Sequence, residues 1–196
     1  MDTREYIIDK AIPLFFTNSY EAVSISDISN AIGFTKGALY HHFKNKEELF
    51  IAVVDKCFVI TEIEFNEETG TFLEFSEACL YHAKLTLENL FLYTQGFEVI
   101  NYMSLIADSF RHYPGFADQK LAFMQVETNK IRNIINKSIE RGEIRSDIDS
   151  SLIAQSYFSN MLGLAVPIIQ KQSIEQVILN LKGQLDQMYL LLKKVE

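Results

Sequence analysis

The sequence predicts an all-α protein of about nine helices, and three observations support this fold class. Apolar residues recur at the three- and four-residue spacing of amphipathic helices along most of the chain. Only eight glycines and three prolines occur among the 196 residues, which leaves few turns for a many-stranded sheet. Hydrophobic residues make up 48% of the chain, a share that can fill a core and that excludes a disordered chain.

Four helices are predicted in the first third, each opened by a side chain that can accept a hydrogen bond from a free backbone N–H group. Their ranges are 2–18, 24–32, 36–43 and 46–65, with caps at Asp2 or Thr3, Ser24, Thr35 and Asn45. Gly33 ends the second helix, because glycine readily adopts the left-handed conformation found after a helix. Pro13 lies inside the first helix and removes the hydrogen bond to Asp9, which leaves the direction of that helix open.

Five further helices are predicted after an acidic run that ends at Gly70 and Thr71. Their ranges are 72–93, 97–112, 116–140, 150–166 and 174–194, separated by Gly96, Pro114–Gly115, Gly142 and Pro167. The segment 150–170 carries no charged residue over a length that could span a membrane. Its glutamine, serine, asparagine and proline residues do not suit lipid, so we expect a buried helix at a subunit interface.

Charge and cysteine content restrict the class of protein. A net charge of −8 argues against a protein that coats nucleic acid through bulk charge. The stretch 36–46 nevertheless carries three lysines and no acid, so the sequence allows a local basic face. Cys57 and Cys79 are expected to be small core residues rather than a disulfide or a redox switch. The chain opens without a signal sequence, and we expect a soluble protein in the reducing cytoplasm.

The two short helices at 24–32 and 35–43, joined by a tight glycine turn, have the proportions of a helix-turn-helix. A recognition helix needs small residues near its N-terminus to enter the major groove of DNA and polar side chains to touch bases and phosphates, and Lys36, Gly37 and Ala38 fit this need. Tyr40 offers a hydroxyl to a phosphate while its ring packs. This motif therefore indicates DNA binding.

The segment 28–49, which reads ISNAIGFTKGALYHHFKNKEEL, closely resembles the signature of the TetR family of transcriptional repressors. The resemblance is specific over about residues 5–54 and only architectural beyond them. It implies DNA contacts at eight positions: Ser24, Thr35, Lys36, Gly37, Tyr40, His41, His42 and Lys46. Ser29 replaces a usual alanine and Phe34 a usual smaller aliphatic residue, and both changes are expected to leave the docking face intact.

Less specific roles remain open for several of these positions. Tyr40 could simply pack at the rim of the domain, and the pair His41 and His42 could form a solvated corner or a metal site. Lys36 could be an ordinary surface lysine. Lys44 is a weaker candidate for a phosphate contact.

The resemblance also implies two domains: a three-helix helix-turn-helix DNA-binding domain at 1–48 and an effector-binding and dimerisation domain at 49–196, with helix 4 connecting them. The segment 141–147 resembles the turn before the family's penultimate helix. In this architecture the last two helices of each protomer form a four-helix bundle in a homodimer. An apolar stripe on the last helix is expected to face the mate, and the alternative is the protomer's own core. The stripe comprises Ile174, Val177, Ile178, Leu181, Leu185, Met188 and Leu192.

An effector site is expected among helices 5 to 8, which are richer in aromatic and methionine residues than a minimal bundle requires. The candidate effector-binding residues are Tyr81, His82, Met103, Phe110, Phe123, Tyr157 and Met161. The expected ligand is a small apolar or aromatic molecule. The alternative is that this aromatic set is ordinary core.

The sequence therefore predicts a ligand-responsive transcriptional repressor that binds double-stranded, pseudo-palindromic operator DNA as a dimer and is released by a small-molecule effector. No cofactor, metal or membrane partner is expected. An enzyme built on Cys57, His82 and Asp108 is one rival, but the sequence has no glycine-rich phosphate loop, metal-spaced set or nucleophile elbow. The other rival is a DNA-binding architectural or division-regulating factor of the same fold without a small-molecule inducer.

Overall fold

The computed structural model describes residues 2–58, 63, 65–92, 99–163 and 173–195, with side chains at all of them except 90–92, 99 and 100. Nine helices and no strand occur in these residues, which confirms the predicted all-α fold. In chain order they are α1 (Thr3–Thr17), α2 (Ile25–Ile32), α3 (Lys36–His42), α4 (Lys46–Cys57), α5 (Phe72–Leu92), α6 (Val99–His112), α7 (Phe116–Glu140), α8 (Ser150–Leu162) and α9 (Ile174–Leu192). None of the helices in the described ranges is long and apolar enough to cross a membrane.

The fourth helix is shorter than the sequence predicts. Its expected end is residue 65, but α4 ends at Cys57, and Phe65 is not helical. Phe58 caps α4, and its ring centre lies 5.5 Å from that of Tyr102 and 6.3 Å from that of Phe116. Phe58 itself has a non-helical backbone conformation, with φ −111° and ψ 40°. Several parts of the predicted helices lie outside the described residues: 59–62, 64, 93, 97–98 and 164–166.

The predicted N-caps are present at the first four helices. Side-chain oxygens of Asp2, Ser24, Thr35 and Asn45 accept backbone N–H bonds at 2.7 to 3.2 Å. At α2 the capping box is complete, because the Asp27 carboxylate accepts the N–H of Ser24 at 2.9 Å. At α4 the Glu48 carboxylate accepts the N–H of Lys44 at 2.8 Å. This bond holds Lys44 in place directly before the N-cap Asn45.

The first helix runs unbroken through Pro13, which is exposed. The carbonyl oxygen of Pro13 accepts the Thr17 hydroxyl at 2.8 Å. One turn earlier, Nζ of Lys56 lies 2.7 Å from a Glu5 oxygen and 2.8 Å from an Asp9 oxygen. The helical turn that loses a hydrogen bond to proline is thus tied to α4 by an ion pair.

The described residues of 1–61 and 89–117 form one compact unit. In this first unit α6 packs against α1 and α4. Its core includes Phe15, Leu39, Phe50 and Leu105, each at most 1% exposed. The functional boundary between residues 48 and 49 stays a prediction.

The described residues of 62–88 and 118–196 form a second unit, which contains α8, α9 and most of α5 and α7. Phe72, Ile135 and Tyr157 are fully buried in its core. The predicted turn at 141–147 contacts two helices of this unit. The Glu143 carboxylate accepts the N–H of Phe72 at 3.0 Å and so caps α5. The backbone carbonyl of the same residue accepts the N–H of Lys194 at 2.9 Å, which ties in the end of α9.

The apolar stripe of α9 faces the protomer's own core, so the prediction that it faces a mate is wrong. Val177, Leu181, Leu185 and Leu192 are 1 to 4% exposed within the single chain. Ile178 and Met188 pack partly buried against the same core, and Ile174 is half-buried. The buried residues of this stripe attach α9 to its own unit, so Val177, Leu181, Leu185 and Leu192 are not available to a partner. The apolar side chains that α9 does expose are Leu179, Leu190 and Leu191.

Candidate nucleic-acid interface

The third helix turns one side to the core and the other to solvent. Leu39 and Phe43 are 1% and 2% exposed and hold the helix in place. The exposed residues of this segment, called here the α3 edge, are Thr35, Lys36, Gly37, Ala38, Tyr40 and His41. Tyr40 is half exposed, so its ring lies at the rim of the unit with part of its surface in solvent. The small residues at the start of α3 leave the backbone accessible, as entry into a DNA groove requires.

The turn between α2 and α3 is fixed by Gly33 and Ser29. Gly33 has a φ of 72°, which a residue with a side chain adopts only with strain. The buried Ser29 hydroxyl donates to the carbonyl oxygen of Phe34, whose N–H donates back to the Ser29 carbonyl at 3.1 Å. The serine at a usual alanine position therefore closes the turn, a role that sequence reasoning did not find.

Two predicted DNA contacts, Ser24 and Thr35, already serve as caps. The Ser24 hydroxyl donates to Asp27 at 2.6 Å and accepts the N–H of the same residue. Hydrogen bonds from the Ser24 hydroxyl and N–H lower the pKa of Asp27. In the described residues the Thr35 hydroxyl accepts one hydrogen bond, from the N–H of Ala38, and donates none. Thr35 thus keeps a donor for DNA, whereas the proton of Ser24 is committed to Asp27.

His41 and His42 lie at the end of α3 with their rings nearly perpendicular and their centres 5.3 Å apart. His41 is exposed and His42 is half-buried. Across the described part of the chain, no three His, Cys, Asp or Glu side chains group in a way that could hold a metal ion. The exposed imidazole of His41 belongs to the α3 edge and can reach a base or a phosphate.

Lys46 has a structural position that the sequence did not predict. Its half-buried Nζ donates to the carbonyl oxygens of Tyr20 at 2.8 Å and Val23 at 3.0 Å. The same atom lies 4.0 Å from the centre of the Tyr20 ring. Lys46 therefore ties the start of α4 to the turn before α2. Its predicted phosphate contact stays a prediction.

The turn before α2 is also held by α6. The Asp108 carboxylate, 4% exposed, accepts the N–H of Tyr20 at 2.7 Å. The ring of His112 stacks on the Tyr20 ring at 4.1 Å, and its Nε2 lies 3.3 Å from a Glu21 oxygen. Tyr20 thus has α6 on one side and Lys46 on the other, and the helix-turn-helix is positioned by residues 26 and 88 positions away in sequence.

The side chains of the rival catalytic set are placed for packing. Asp108 binds the Tyr20 backbone, and Cys57 belongs to the first unit whereas His82 belongs to the second. Burial raises the pKa of the Cys57 thiol to about 12, the opposite of what a nucleophile requires. These environments give no support to a nucleophile and base.

The predicted effector residues fall into different environments. Met103 and Phe110, in the first unit, are 46% and 55% exposed. In the second unit, Tyr157 is buried, and Phe123 and Met161 pack partly buried against the same core. Tyr81, in contrast, is 66% exposed, and His82 is half-buried on the same helix. The structure therefore brings together three of the seven residues.

The Tyr157 hydroxyl is buried and forms no hydrogen bond of good geometry, although the Ser76 hydroxyl and the Cys79 thiol lie close to it. Ring centres of Phe72 and Phe75 lie 5.5 and 5.9 Å from that of Tyr157. The Ser76 hydroxyl donates to the carbonyl oxygen of Phe72 at 3.0 Å. Burial raises the pKa of Tyr157 and raises that of the adjacent Cys79 thiol to about 12. The result is an apolar, aromatic environment with one unsatisfied phenol.

This chain is similar in sequence to known proteins. Residues 7–53 match the family model for bacterial regulatory proteins of the tetR family. The chain is 26% identical over 155 residues to the transposon Tn10 TetC protein of Escherichia coli, which covers 77% of this chain and 74% of that protein. It is 40% identical over 55 residues to the biofilm operon icaADBC HTH-type negative transcriptional regulator IcaR of Staphylococcus epidermidis, which covers 28% of this chain and 30% of IcaR.

A solved structure with a similar fold is NalD of Pseudomonas aeruginosa, the secondary repressor of the MexAB-OprM multidrug efflux pump. The two chains superpose with a TM-score of 0.67 and 18% identity over 99% of this chain and 98% of NalD. At this level of identity the likeness concerns the fold.

Proposed function

Since this chain belongs to the tetR family of bacterial transcriptional regulators, we propose that it is a ligand-responsive repressor that binds a pseudo-palindromic operator as a homodimer and leaves it when a small effector binds. Family membership makes the chain a regulator rather than an enzyme. Repression is supported by IcaR, which is a negative transcriptional regulator. A protein that regulates genes in this way acts in the cytoplasm, where the chromosome lies.

The α3 edge is the observation that carries the DNA-binding part of this proposal. The major groove of B-DNA is about 12 Å wide and admits one α-helix. Gly37 and Ala38 are exposed near the start of α3 and allow the helix to approach base edges closely. Lys36 and His41 then reach bases or phosphates, and the Tyr40 hydroxyl donates to a phosphate.

Two uncharged faces support a homodimer through the last two helices. Exposed residues follow one another at three- and four-residue spacing along α8 and α9. On α8 they are Leu152, Ser156, Ser159 and Gly163, and on α9 they are Gln176, Leu179, Gly183, Gln187 and Leu190. A Cβ atom built at Gly183 meets no other atom within 4 Å, so the backbone of α9 is open to close approach at that point. These faces replace the buried stripe as the proposed contact with the mate.

The second unit is the proposed effector site. Its aromatic core surrounds the buried Tyr157 hydroxyl, which lacks a hydrogen bond of good geometry and can donate to an acceptor atom of a ligand. Phe123 and Met161 would line the same apolar region. The implied effector is a small apolar or aromatic molecule that carries one hydrogen-bond acceptor. The roles of Tyr81, His82, Met103 and Phe110 stay predictions.

The test is to select duplexes from a random-sequence DNA library with the whole protein. We expect inverted repeats with half-sites about one helical turn apart, about 34 to 36 Å, and two protomers bound to each duplex. Lys36→Gln should weaken binding to the selected duplex, whereas Lys194→Gln, the same charge change on an exposed residue of the second unit, should not. Failure to enrich any sequence would contradict the proposal.

A second stage tests the response to a ligand. Apolar and aromatic compounds that raise the melting temperature are titrated with and without the selected duplex. A repressor of this kind binds its effector more weakly when DNA is present, because coupling between two sites is reciprocal. If no compound changes DNA affinity, a non-inducible DNA-binding factor of the same fold replaces the ligand-responsive repressor.

A further inference from the structure

We propose that Arg4 and Lys10 of α1 contact DNA phosphates on the two sides of the α3 edge. This inference rests on the proposed DNA binding and adds residues outside the helix-turn-helix motif to it. Both side chains are exposed. Arg4 is connected to one end of α3 by a contact with Phe43, and Lys10 is connected to the other end through Tyr6 and Phe34.

Arg4 lies at the C-terminal end of α3. Its guanidinium carbon is 4.9 Å from the centre of the Phe43 ring, and Phe43 is the residue that caps this end of the helix. The stacked guanidinium keeps its N–H groups free at the edge of its plane, where they can donate two parallel bonds to one phosphate. Contact with the buried ring of Phe43 holds the group in place before DNA arrives.

Lys10 is linked to the N-terminal end of α3 through two successive ring contacts. Its Nζ is 5.8 Å from the centre of the Tyr6 ring, and the Tyr6 ring is 5.9 Å from that of Phe34. Phe34 directly precedes Thr35, which caps the start of α3. The two α1 cations are thus placed by successive ring contacts at opposite ends of the helix proposed to enter the groove.

The charges of these two residues are available for DNA. Six basic residues occur within 2–58, and two of them are engaged. Lys46 donates to backbone carbonyl oxygens, and Lys56 pairs with two carboxylates of α1. Within the described residues, the other four side chains form no ion pair: Arg4, Lys10, Lys36 and Lys44.

Within the described residues, the carboxylates of Asp27 and Glu48, on either side of α3 in the sequence, form no ion pair with these cations. Asp27 accepts two hydrogen bonds from Ser24, and Glu48 accepts the N–H of Lys44. Both carboxylates are therefore directed at helix starts. A chain with a net charge of −8 needs such a local excess of free cations to hold a polyanion.

The test measures DNA affinity across a series of salt concentrations. The probes are a duplex selected by the wild-type protein from random-sequence DNA and an unrelated duplex of the same length. Arg4→Gln and Lys10→Gln are each expected to lower the slope of log affinity against log salt by about 0.9 for every protomer bound, and the double variant by the sum. The preference for the selected duplex over the unrelated one is expected to stay unchanged, because phosphate contacts carry no sequence information.

Two further variants make the outcome specific. Lys194→Gln removes the same charge from the second unit and should leave the slope unchanged. Arg4→Lys keeps the charge, so it should retain the slope but weaken binding, because an ammonium cannot donate two parallel bonds to one phosphate. This loss of affinity at an unchanged slope still tests the position if Arg4→Gln fails to fold.

An unchanged slope in the double variant would overturn the inference while leaving the proposed function intact. A lost sequence preference with an unchanged slope would overturn it as well. If the wild-type protein selects no duplex at all, the proposed function fails, and the inference falls with it.

Discussion

The Nζ atom of Lys46 lies 4.0 Å from the centre of the Tyr20 ring and donates to the carbonyl oxygen of the same residue at 2.8 Å. Tyr20 is fixed at the same time by α6, through the bond from its N–H to Asp108. The turn that leads into α2 is therefore anchored from two helices outside it. The orientation of the helix-turn-helix depends on this anchoring, since the backbone bonds within the turn, from the N–H groups of Ala22 and Val23 to the carbonyl oxygen of Ser19, are local.

The first prediction concerns Lys46→Gln. Loss of an ammonium that donates to two carbonyl oxygens and lies over a ring should lower the free energy of unfolding by about 1 to 2 kcal/mol. In a chain of this size that change lowers the melting temperature by roughly 3 to 6 °C. Thermal melting followed by circular dichroism measures it.

A matched substitution separates anchoring from phosphate contact at this position. Lys44→Gln removes an exposed cation two residues earlier and should lower the salt slope of DNA binding with little change in melting temperature. If Lys46→Gln also changes only the salt slope, the ammonium serves DNA rather than the fold.

The second prediction is that Tyr40→Phe weakens operator binding by about 1 kcal/mol and leaves the protein folded. The ring stays in place at the rim, and only the hydroxyl proposed to reach a phosphate is lost. Fluorescence anisotropy with the selected duplex and a melting curve for each protein provide the two readings. A variant that melts early would assign Tyr40 to the fold instead.

Local features of this chain were predictable from its sequence, and contacts between distant residues were not. The capping box of Ser24 and Asp27 and the left-handed Gly33 follow from residues three to nine positions apart. The contacts of Tyr20 with Lys46 and Asp108 span 26 and 88 positions and leave no periodic signal in the sequence.

The apolar stripe on α9 shows a second reason why a structural feature could not be predicted from the sequence. A run of apolar residues at helical spacing is the same whether it faces the protomer's own core or a mate, because both environments exclude water. Only the structure shows that Leu181 is buried within the single chain and that Leu179, two residues earlier, is exposed. The sequence predicted that Lys36, Gly37, Tyr40 and His41 lie on one helix, and they do, although their DNA contacts stay predictions. The cations of α1 had no motif to identify them.

The third prediction uses this pair of leucines. Leu179→Asp places a charge on the proposed dimer face and should yield a folded monomer that no longer binds the selected duplex. Leu181→Asp places the same charge in the core, which costs several kcal/mol and should unfold the second unit. Sedimentation and circular dichroism distinguish the two results. A dimeric Leu179→Asp variant would exclude this face of α9 from the interface.

The fourth prediction concerns thiol reactivity. Burial raises the pKa of both Cys57 and Cys79 to about 12, so the reactive thiolate is scarce at neutral pH. At pH 8 both thiols should react with a disulfide reagent at least about a hundredfold more slowly in the native protein than in denaturant. The variants Cys57→Ser and Cys79→Ser assign each reaction. Fast labelling of one native thiol would show that its helix opens readily.

The last prediction concerns Tyr157→Phe. A buried hydroxyl without a hydrogen bond of good geometry has lost its water and gained little in exchange, so removing it should raise the free energy of unfolding by up to about 1 kcal/mol in the absence of ligand. Tyr113→Phe is the control of opposite sign, because that hydroxyl donates to Asp55 at 2.9 Å and its removal should cost stability. Denaturant unfolding of the two variants measures both changes.

The same substitution reports on the effector. If the Tyr157 hydroxyl is kept for a ligand, Tyr157→Phe should bind a compound from the thermal screen about five- to tenfold more weakly although the free protein is more stable. The variant should also release the selected duplex at a correspondingly higher concentration of that compound. The reason is that a ligand shifts the DNA-binding equilibrium only by the difference in its affinity for the DNA-bound and DNA-free states of the protein. A more stable variant with unchanged ligand affinity would mark Tyr157 as a packing residue and place the effector elsewhere.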